Sequence, residues 1–586
     1  MNSTALRALP WALLALVAVL PFSQAVGFDW LRYDDPQYVT ENPHISGGLT
    51  WAGIQEAFGH GLNLLWIPVT SISYMLGVSL HGLHPAGHHL TNVLLHAVNT
   101  LLAFAAFRAL HAPRWSALAA AALFAVHPLA AEPVAWISGR KDLLGATFWL
   151  GAIVAYARFA AAPTAPRMVL PLLLFALGIA SKVTVIALPL VLIALDALAF
   201  RRLQSGTALP RCAALLVAEK LPMFLLGALV SWWAVQLHVN EGGIRSLEQV
   251  PMAVRVMNVV HVYAFHVVKF ALPTGLTVHY PYLESGPPPL LLAAAATLLL
   301  GISVALLLVA RRAPLALAGW LWFTMALLPS AGLARVDSFL TADRYAYVPM
   351  LGLALMVCAL GQAQYEQLPS LRRPLLAALA GAVALYAGAA FVQAGHWRND
   401  VSLFARAASL YPESPTILNG YGTALNRAGR REDARAVFER ARAAQGPFRI
   451  LPTMNLAMLC ASEGDWDGAR RYLQEVVGGN PEYLPAYAFL ARVNRDEAAA
   501  EQNPERRQAL ERGARMAEAM SQIMARETKA KPDTDTAFTA EELSEAHRAL
   551  ASAYSQLGLL KQSFEHNAMA HQIYERARLE SAPAQP

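Results

Sequence analysis

Between residues 9 and 395 the sequence repeats one device, an apolar run followed by a short turn that carries arginine. A helix needs about 20 apolar residues to cross the hydrocarbon core of a bilayer. Runs of that kind lie at 9–26, 87–107, 115–131, 142–158, 168–181, 183–200, 213–237, 290–310, 314–330, 346–362 and 375–395, eleven in all. With Arg7 on the cytoplasmic side, the inside turns hold Arg108 and Arg114, Arg158 and Arg167, Arg201, Arg202 and Arg211, Arg311 and Arg312, and Arg372 and Arg373. These eleven arginines face a single acid, Glu366, which is the bias that cytoplasmic turns of membrane proteins show. An odd number of spans places everything after residue 395 outside. Two further apolar stretches, 64–83 and 252–272, would each reverse the later turns if counted as spans. Both are read as helices lying on or dipping into the outer face, the second because it carries His261, His266 and Lys269.

Composition agrees: 56% of the 586 residues are hydrophobic and 15% charged, and the mean hydropathy is +0.37. A chain this apolar belongs in a bilayer. The apolar runs stop at residue 395, and Arg, Glu, Gln and Asn then dominate, so the expected domains are 1–395 in lipid and 396–586 in water. The net charge of +6 does not indicate nucleic acid, because the basic residues of the apolar part sit in short turns. Cys212, Cys358 and Cys460 lie far apart without CxxC spacing, so no zinc site or disulfide framework is indicated. The apolar stretch 11–20 resembles a signal-peptide core, but with so many spans after it the segment is read as the first transmembrane helix.

The chemistry is expected in the outer loops. The first reads F-D-W-L-R-Y-D-D-P-Q-Y. Asp34 or Asp35 can accept a proton from an attacking hydroxyl while its neighbour orients the acceptor; Asp-Asp-Pro is also ordinary turn chemistry. The second reads H-P-L-A-A-E-P-V-A-W-I-S-G-R-K-D-L-L, placing His127, Glu132, Arg140, Lys141 and Asp142 between two apolar helices. Polar groups at such a boundary are costly unless they face a polar cavity; the other reading is a solvated loop with one internal salt bridge. Lys182 in A-S-K-V and Arg344 in T-A-D-R-Y-A-Y-V-P add two cations at the outer face. Converging cations suit a phosphate or diphosphate leaving group, although each alone also fits a snorkelling interfacial residue. Asp196 lies near the inner end of its span, where it pairs or caps locally. His81, His84, His88 and His89 fit no strong ligand spacing, and Pro85 and Gly87 interrupt the helix that would align them. No metal ligands are assigned.

Beyond residue 395, Phe404 recurs at Phe438 and Ala407 at Ala441, while Gly429 recurs at Gly464 and Ala434 at Ala469. These spacings of 34 and 35 match the tetratricopeptide period of helix–turn–helix units. A weaker unit closes the chain around A-L-A-S-A-Y-S-Q-L-G-L-L-K-Q-S-F, with Gly558 at its turn. Between them residues 495–543 are polar and include a K-A-K-P-D-T-D-T linker. Such a solenoid presents a concave surface to a peptide segment or serves as a docking module. The expected fold is therefore all-α: a polytopic membrane bundle of about eleven spans followed by a soluble tetratricopeptide α-solenoid.

Taken in order, Y-D-D, G-L-H-P-A-G-H-H-L-T-N-V-L-L-H, F-A-V-H-P-L-A-A-E-P-V-A-W-I-S-G-R-K-D-L-L, A-S-K, D-R-Y-A-Y-V-P and W-R-N-D-V-S-L-F-A-R-A resemble the transmembrane and tetratricopeptide-repeat O-mannosyltransferase family and its bacterial relatives. The resemblance covers most of the chain. It implies a GT-C-type membrane glycosyltransferase, a polyprenyl-phosphate sugar donor, mannose or another hexose as the sugar, and an acidic catalytic residue in the first outer loop, Asp34 or Asp35. Glu132, Arg140, Asp142, Lys182 and Arg344 match the family's charged loop positions and are read as donor-phosphate or acceptor contacts. The sequence departs from the pattern at Asp343, where the family has glutamate before the arginine, and at Val183, where an acid often follows A-S-K.

The reading that follows is inverting transfer to protein Ser or Thr, with the acceptor polypeptide held by the repeats and no cofactor assigned beyond the lipid-linked donor, a divalent metal being left open. The Arg- and Ala-rich composition suggests a bacterial inner membrane with a periplasmic active face. Two other classes stay open: an inactive anchor whose repeats form a scaffold, and a transferase or transporter acting on a glycolipid or glycan polymer.

Overall fold

Proline sets where the helices of the apolar part begin. Pro68, Pro85, Pro289, Pro314 and Pro349 each stand in the first turn of a helix, where the missing N–H would have no partner anyway. The computed structural model describes residues 3–62, 65–203, 209–240, 250–333, 339–444, 449–527, 538–556 and 560–581. They form two units, Met1–Arg406 and Ala407–Pro586. Among the described residues the only β-pairing is two isolated bridges, Leu62 with Leu65 and Pro281 with Phe339.

The first unit runs α1 (Ser3–Val19), α2 (Pro68–His81), α3 (Pro85–Ala109), α4 (Arg114–Val126), α5 (Arg140–Ala161), α6 (Ala165–Ile179), α7 (Leu188–Leu198), α8 (Leu209–Asn240), α9 (Met252–Ala271), α10 (Pro289–Val309), α11 (Pro314–Leu327), α12 (Pro349–Gln367) and α13 (Arg372–Gly395), joined by loops and short helical turns. Every apolar run read from the sequence is helical. Among the described residues, six helices are long and apolar enough to cross a bilayer, and α4 with Pro128–Ala135 makes a seventh that bends by 54°. The bend sits at His127, whose extended backbone (ψ 131°) is the conformation that the following Pro128 imposes. α6 and the Val183–Leu198 segment are shorter. At 1.5 Å per residue the 15 residues of α6 reach only about 22 Å, so the turn between them, with Lys182, stops short of a full crossing. Of the two ambiguous stretches, α2 has only 14 residues, and α9 buries Arg255, Asn258 and His266 within the protein.

A polar seam on α3 ties the bundle together. Asn92, His96 and Asn99 recur at helical spacing and are buried. Asn92 donates to the Trp136 carbonyl (2.8 Å), Asn99 to the Leu143 carbonyl (2.9 Å), and His96 Nδ1 pairs with the Tyr347 hydroxyl (2.7 Å). The seam fixes α5 and α12 against α3, and the functional loops hang from its upper end. Asp196 pairs locally as expected: it accepts from Tyr156 and Arg202 and forms an ion pair with Lys220.

The second unit is a run of helix pairs: α14 (Pro415–Arg427) with α15 (Arg431–Ala443), α16 (Ile450–Ser462) with α17 (Trp466–Gly479), α18 (Leu484–Ala500) with α19 (Pro504–Glu527), and α20 (Ala540–Gln556) with α21 (Leu560–Ser581). Gly429 and Gly464 turn the first two pairs with φ of 77° and 79°, a left-handed conformation that suits glycine. Phe438 is buried, and its ring would overlap any Cβ placed on Gly422, so small residues mark where paired helices touch. The polar stretch 495–543 contains α19, which buries Ala514, Ala517, Met520 and Met524. The K-A-K-P-D-T-D-T linker and Gly558 lie outside the described residues.

Candidate functional site

The first loop is held by one of its two aspartates. Asp35 is fully buried. Its Oδ2 accepts from the Leu31 N–H (2.9 Å), and its Oδ1 accepts from the N–H (3.1 Å) and hydroxyl (2.5 Å) of Ser138. The carboxylate therefore closes its own turn and bolts that turn to the 137–139 turn a hundred residues on. Burial raises its pKa from 3.8 to about 6, against the opposing pull of the Ser138 and Leu31 hydrogen bonds. Asp34 differs: it is half-buried, and among the described residues no side chain or N–H donates to its carboxylate.

The loop between α4 and α5 is not solvated. Residues 125–143 are buried throughout, which removes the reading of an exposed loop with one salt bridge. Arg140 is fully buried, and protein groups occupy its guanidinium: Asn92 Oδ1 at 3.0 Å, the Ser73 carbonyl at 3.2 Å and the His88 carbonyl at 3.0 Å. It clamps α2, α3 and α5 together, with the Tyr74 ring 4.7 Å beneath it. Lys141 donates to the Ser138 carbonyl (3.0 Å) and lies 4.4 Å from the Tyr38 ring and 4.9 Å from the Trp136 ring.

Two ion pairs, each with a buried acid and a partly buried cation, complete the site. Arg344 pairs with Glu132, and its backbone N–H also donates to Glu132 Oε2 (2.9 Å). Lys182 pairs with Asp142 Oδ1, while Asp142 Oδ2 is buried without a hydrogen-bond partner among the described residues. Aromatic rings link the cations. The Arg344 guanidinium lies 5.5 Å from the Trp136 ring and 5.0 Å from the Tyr345 ring, and Lys182 lies 5.5 Å from the same tyrosine. A small cavity of about 20 Å³ opens between Asp142, Lys182, Arg344, Tyr345 and Trp149.

The structure thus gathers Asp34, Asp35, Glu132, Asp142, Lys182 and Arg344 at one end of the bundle, and sets Arg140 beside them with its donors engaged. Sequence reasoning missed Tyr33, Trp136, Ser138 and Trp397. Trp397 is buried and stacks on Trp136 at 5.8 Å, with Tyr33 5.8 Å from the same indole. The Asp29 N–H donates to the Arg398 carbonyl (3.1 Å), so the W-R-N-D segment after α13 braces the first loop. The signal was present in the W-I-S-G and W-R-N-D strings, but indoles and a serine carry no chemistry that stands out in a sequence. Asp343 turns away to the Tyr280 hydroxyl (2.7 Å), and burial pushes its carboxyl up. His88 pairs with the Gly82 carbonyl at 3.0 Å and His89 with that of Asp29 at 3.4 Å. Among the described residues no three His, Cys, Asp or Glu side chains are grouped as metal ligands.

Fold and site define a class: a polytopic α-helical membrane protein with a buried ion-paired site at one end of its bundle and a helical-repeat unit after it. Comparison with curated proteins narrows the class. The chain is 37% identical over 133 residues to protein O-mannosyl-transferase Tmtc1 of Drosophila melanogaster, covering 22% of this chain and 16% of that protein. It is 23% identical over 435 residues to protein O-mannosyl-transferase F38B6.6 of Caenorhabditis elegans, covering 72% of this chain and 61% of the relative. It is 33% identical over 156 residues to TMTC1 of Mus musculus, covering 25% and 16%. The matched stretches span less than two thirds of each relative's length. The resemblance read from the ordered motifs holds, and the chain is a relative of the transmembrane and tetratricopeptide-repeat O-mannosyl-transferases. No family model matches the sequence, and no solved structure matches the fold.

Proposed function

We propose that the protein transfers a hexose, mannose by its relatives' names, from a polyprenyl-phosphate carrier to Ser or Thr of a polypeptide on the non-cytoplasmic face of a membrane. The observation that carries the reading is the gathering of three cations, Lys141, Lys182 and Arg344, around Trp136 and Tyr345, with Asp34, a carboxylate that accepts no hydrogen bond among the described residues, close enough to Lys141 to interact with its charge. Glycosyl transfer with a phosphate leaving group needs a base at one end and positive charge at the other.

In this mechanism Asp34 takes the proton of the acceptor hydroxyl as its oxygen attacks the anomeric carbon. The bond from that carbon to the phosphate oxygen breaks, and the electron pair leaves with the polyprenyl phosphate. Lys141, Lys182 and Arg344 neutralise the charge that develops there. Glu132 and Asp142 keep two of these cations in place before substrate arrives, so the site is ordered in advance. Asp35 holds the base in position through Ser138. Arg140, with its donors engaged by Asn92, Ser73 and His88, is assigned to the scaffold and not to the donor.

The repeats of the second unit hold the acceptor polypeptide in this reading, and the carrier enters sideways from the outer leaflet. The test is mass spectrometry of exported proteins from cells with and without the gene, scoring hexose on Ser and Thr. Glycopeptides that vanish and return with wild type but not with Asp34→Asn are the expected result. An unchanged glycoproteome would move the acceptor from protein to glycolipid or remove the catalytic reading altogether.

A further inference from the structure

The helices that carry the charged site at one end frame a second polar feature at the other. α3 begins beside His88 and ends at Ala109, α7 follows Lys182 and ends at Leu198, and α12 follows Arg344 and ends at Gln367. The 25 residues of α3 span about 37 Å, enough to cross a hydrocarbon core. Past these far ends lies a cleft of about 590 Å³, lined by His111, Arg201, Arg312 and Glu366 and walled by Leu198 and Phe200.

The backbone marks this cleft. His111 and Arg201 are the two non-glycine residues with left-handed backbone among the described residues, with φ of 65° and 55°. Each follows the end of a helix. The Ala112 N–H bonds back to the Phe107 carbonyl (3.1 Å) across His111, and the Arg202 N–H to the Asp196 carbonyl (2.8 Å) across Arg201. Glycine is the unstrained residue for such a closing position. The sequence instead keeps two nitrogen-rich side chains in strained positions, and both open onto one cleft; strain of this kind gathers at functional sites.

The charges in the cleft are also available. The guanidinium groups of Arg201 and Arg312 form no hydrogen bond or ion pair among the described residues, and the cleft's one acid, Glu366, accepts from Gln362 Nε2 at 2.7 Å. The neighbouring Arg202 shows the contrast. It is turned inward, bidentate to Glu219 at 2.7 Å on both nitrogens and bonded to Asp196 at 3.2 Å. A turn that served only to mark one side of the membrane would not need its arginines divided in this way.

We propose that this cleft binds the phosphate of an anionic phospholipid headgroup at the end of the bundle opposite the charged site. Arg201 and Arg312 clasp the phosphate oxygens, which match a guanidinium fork, His111 closes one side, and Leu198 and Phe200 receive the first carbons of the acyl chains. Basic pockets between transmembrane helices take such headgroups. The proposal does not depend on the transferase reading.

The test uses the full-length protein in detergent, mixed with phosphatidylglycerol or with phosphatidylcholine of the same acyl chains, and native mass spectrometry to count retained lipid. Wild type should retain phosphatidylglycerol in preference. Arg201→Gly removes a guanidinium while relieving the backbone strain, so folding is kept; together with Arg312→Gln it should lower retention by about fivefold for each guanidinium removed. Equal retention by wild type and the double variant would overturn the site. Glycerol 3-phosphate at millimolar concentration should not displace the lipid, and displacement by it would overturn the lipid as the source of the phosphate.

Discussion

Asp34 and Asp35 are chemically identical neighbours, and their surroundings give them different work. Asp34→Asn should cut transfer by about 10² to 10⁴, the range for a lost general base, with the melting temperature unchanged by scanning fluorimetry in detergent. Asp35 should show itself through pH. Its folded pKa of about 6 lies above 3.8, so the folded state binds the proton more tightly than the unfolded chain. The stabilisation is complete below pH 3.8 and is lost as pH rises to about 6. The melting temperature of wild type relative to Asp35→Asn should therefore fall across that window; a constant difference would show that Asp35 keeps an ordinary pKa. Glu132→Gln removes the counter-charge of the Arg344 guanidinium, whose side chain is 11% exposed, and should destabilise by about 1–3 kcal/mol, read as a lower melting temperature. Both aspartates were legible as candidates from Y-D-D, but not which one is tied down by hydrogen bonds, because Ser138 decides that from far along the chain.

At the scale of elements, the apolar runs foretold the helices because length and hydropathy are local properties. Interruptions were harder to read. The break at His127 was hidden because Pro128 sits inside a run that is apolar on both sides, and its 54° bend buries the loop that carries Glu132 and Arg140. α19 was hidden for the opposite reason: a narrow Ala and Met stripe runs through a sequence otherwise full of Arg and Glu. The α11–α12 contact also depends on something a run cannot show. A Cβ on Gly319 would overlap the Gly352 carbonyl, and one on Gly352 would overlap that of Gly319, so the two backbones touch. Gly319→Ala should cost about 1–3 kcal/mol from overpacking and shift the detergent melting curve downward, whereas the same change at Gly301, where a Cβ meets nothing within 4 Å, should leave it in place.

At the scale of the whole molecule, the account requires the two ends of the bundle to lie on opposite sides of the membrane, with the charged site on the non-cytoplasmic one. In a background without native cysteines, Ser285→Cys in the loop before α10 should react with an impermeant maleimide added to intact cells. Arg311→Cys, at the other end of α10, should react only after lysis. The arginine turns are the reason for expecting this arrangement and the labelling is its test, whereas the approach of Lys182 and Arg344 to one tyrosine, Tyr345, came only with the fold, since residues 182 and 344 meet through tertiary packing alone. The most direct measurement is transfer by the purified full-length protein from a polyprenyl-phosphate hexose to a Ser/Thr-rich peptide, comparing wild type, Asp34→Asn and Arg140→Lys. Glycopeptide formed by wild type, none above background with Asp34→Asn, and with Arg140→Lys a loss of activity no greater than its loss of folded protein is the predicted result; turnover retained by Asp34→Asn would contradict the account.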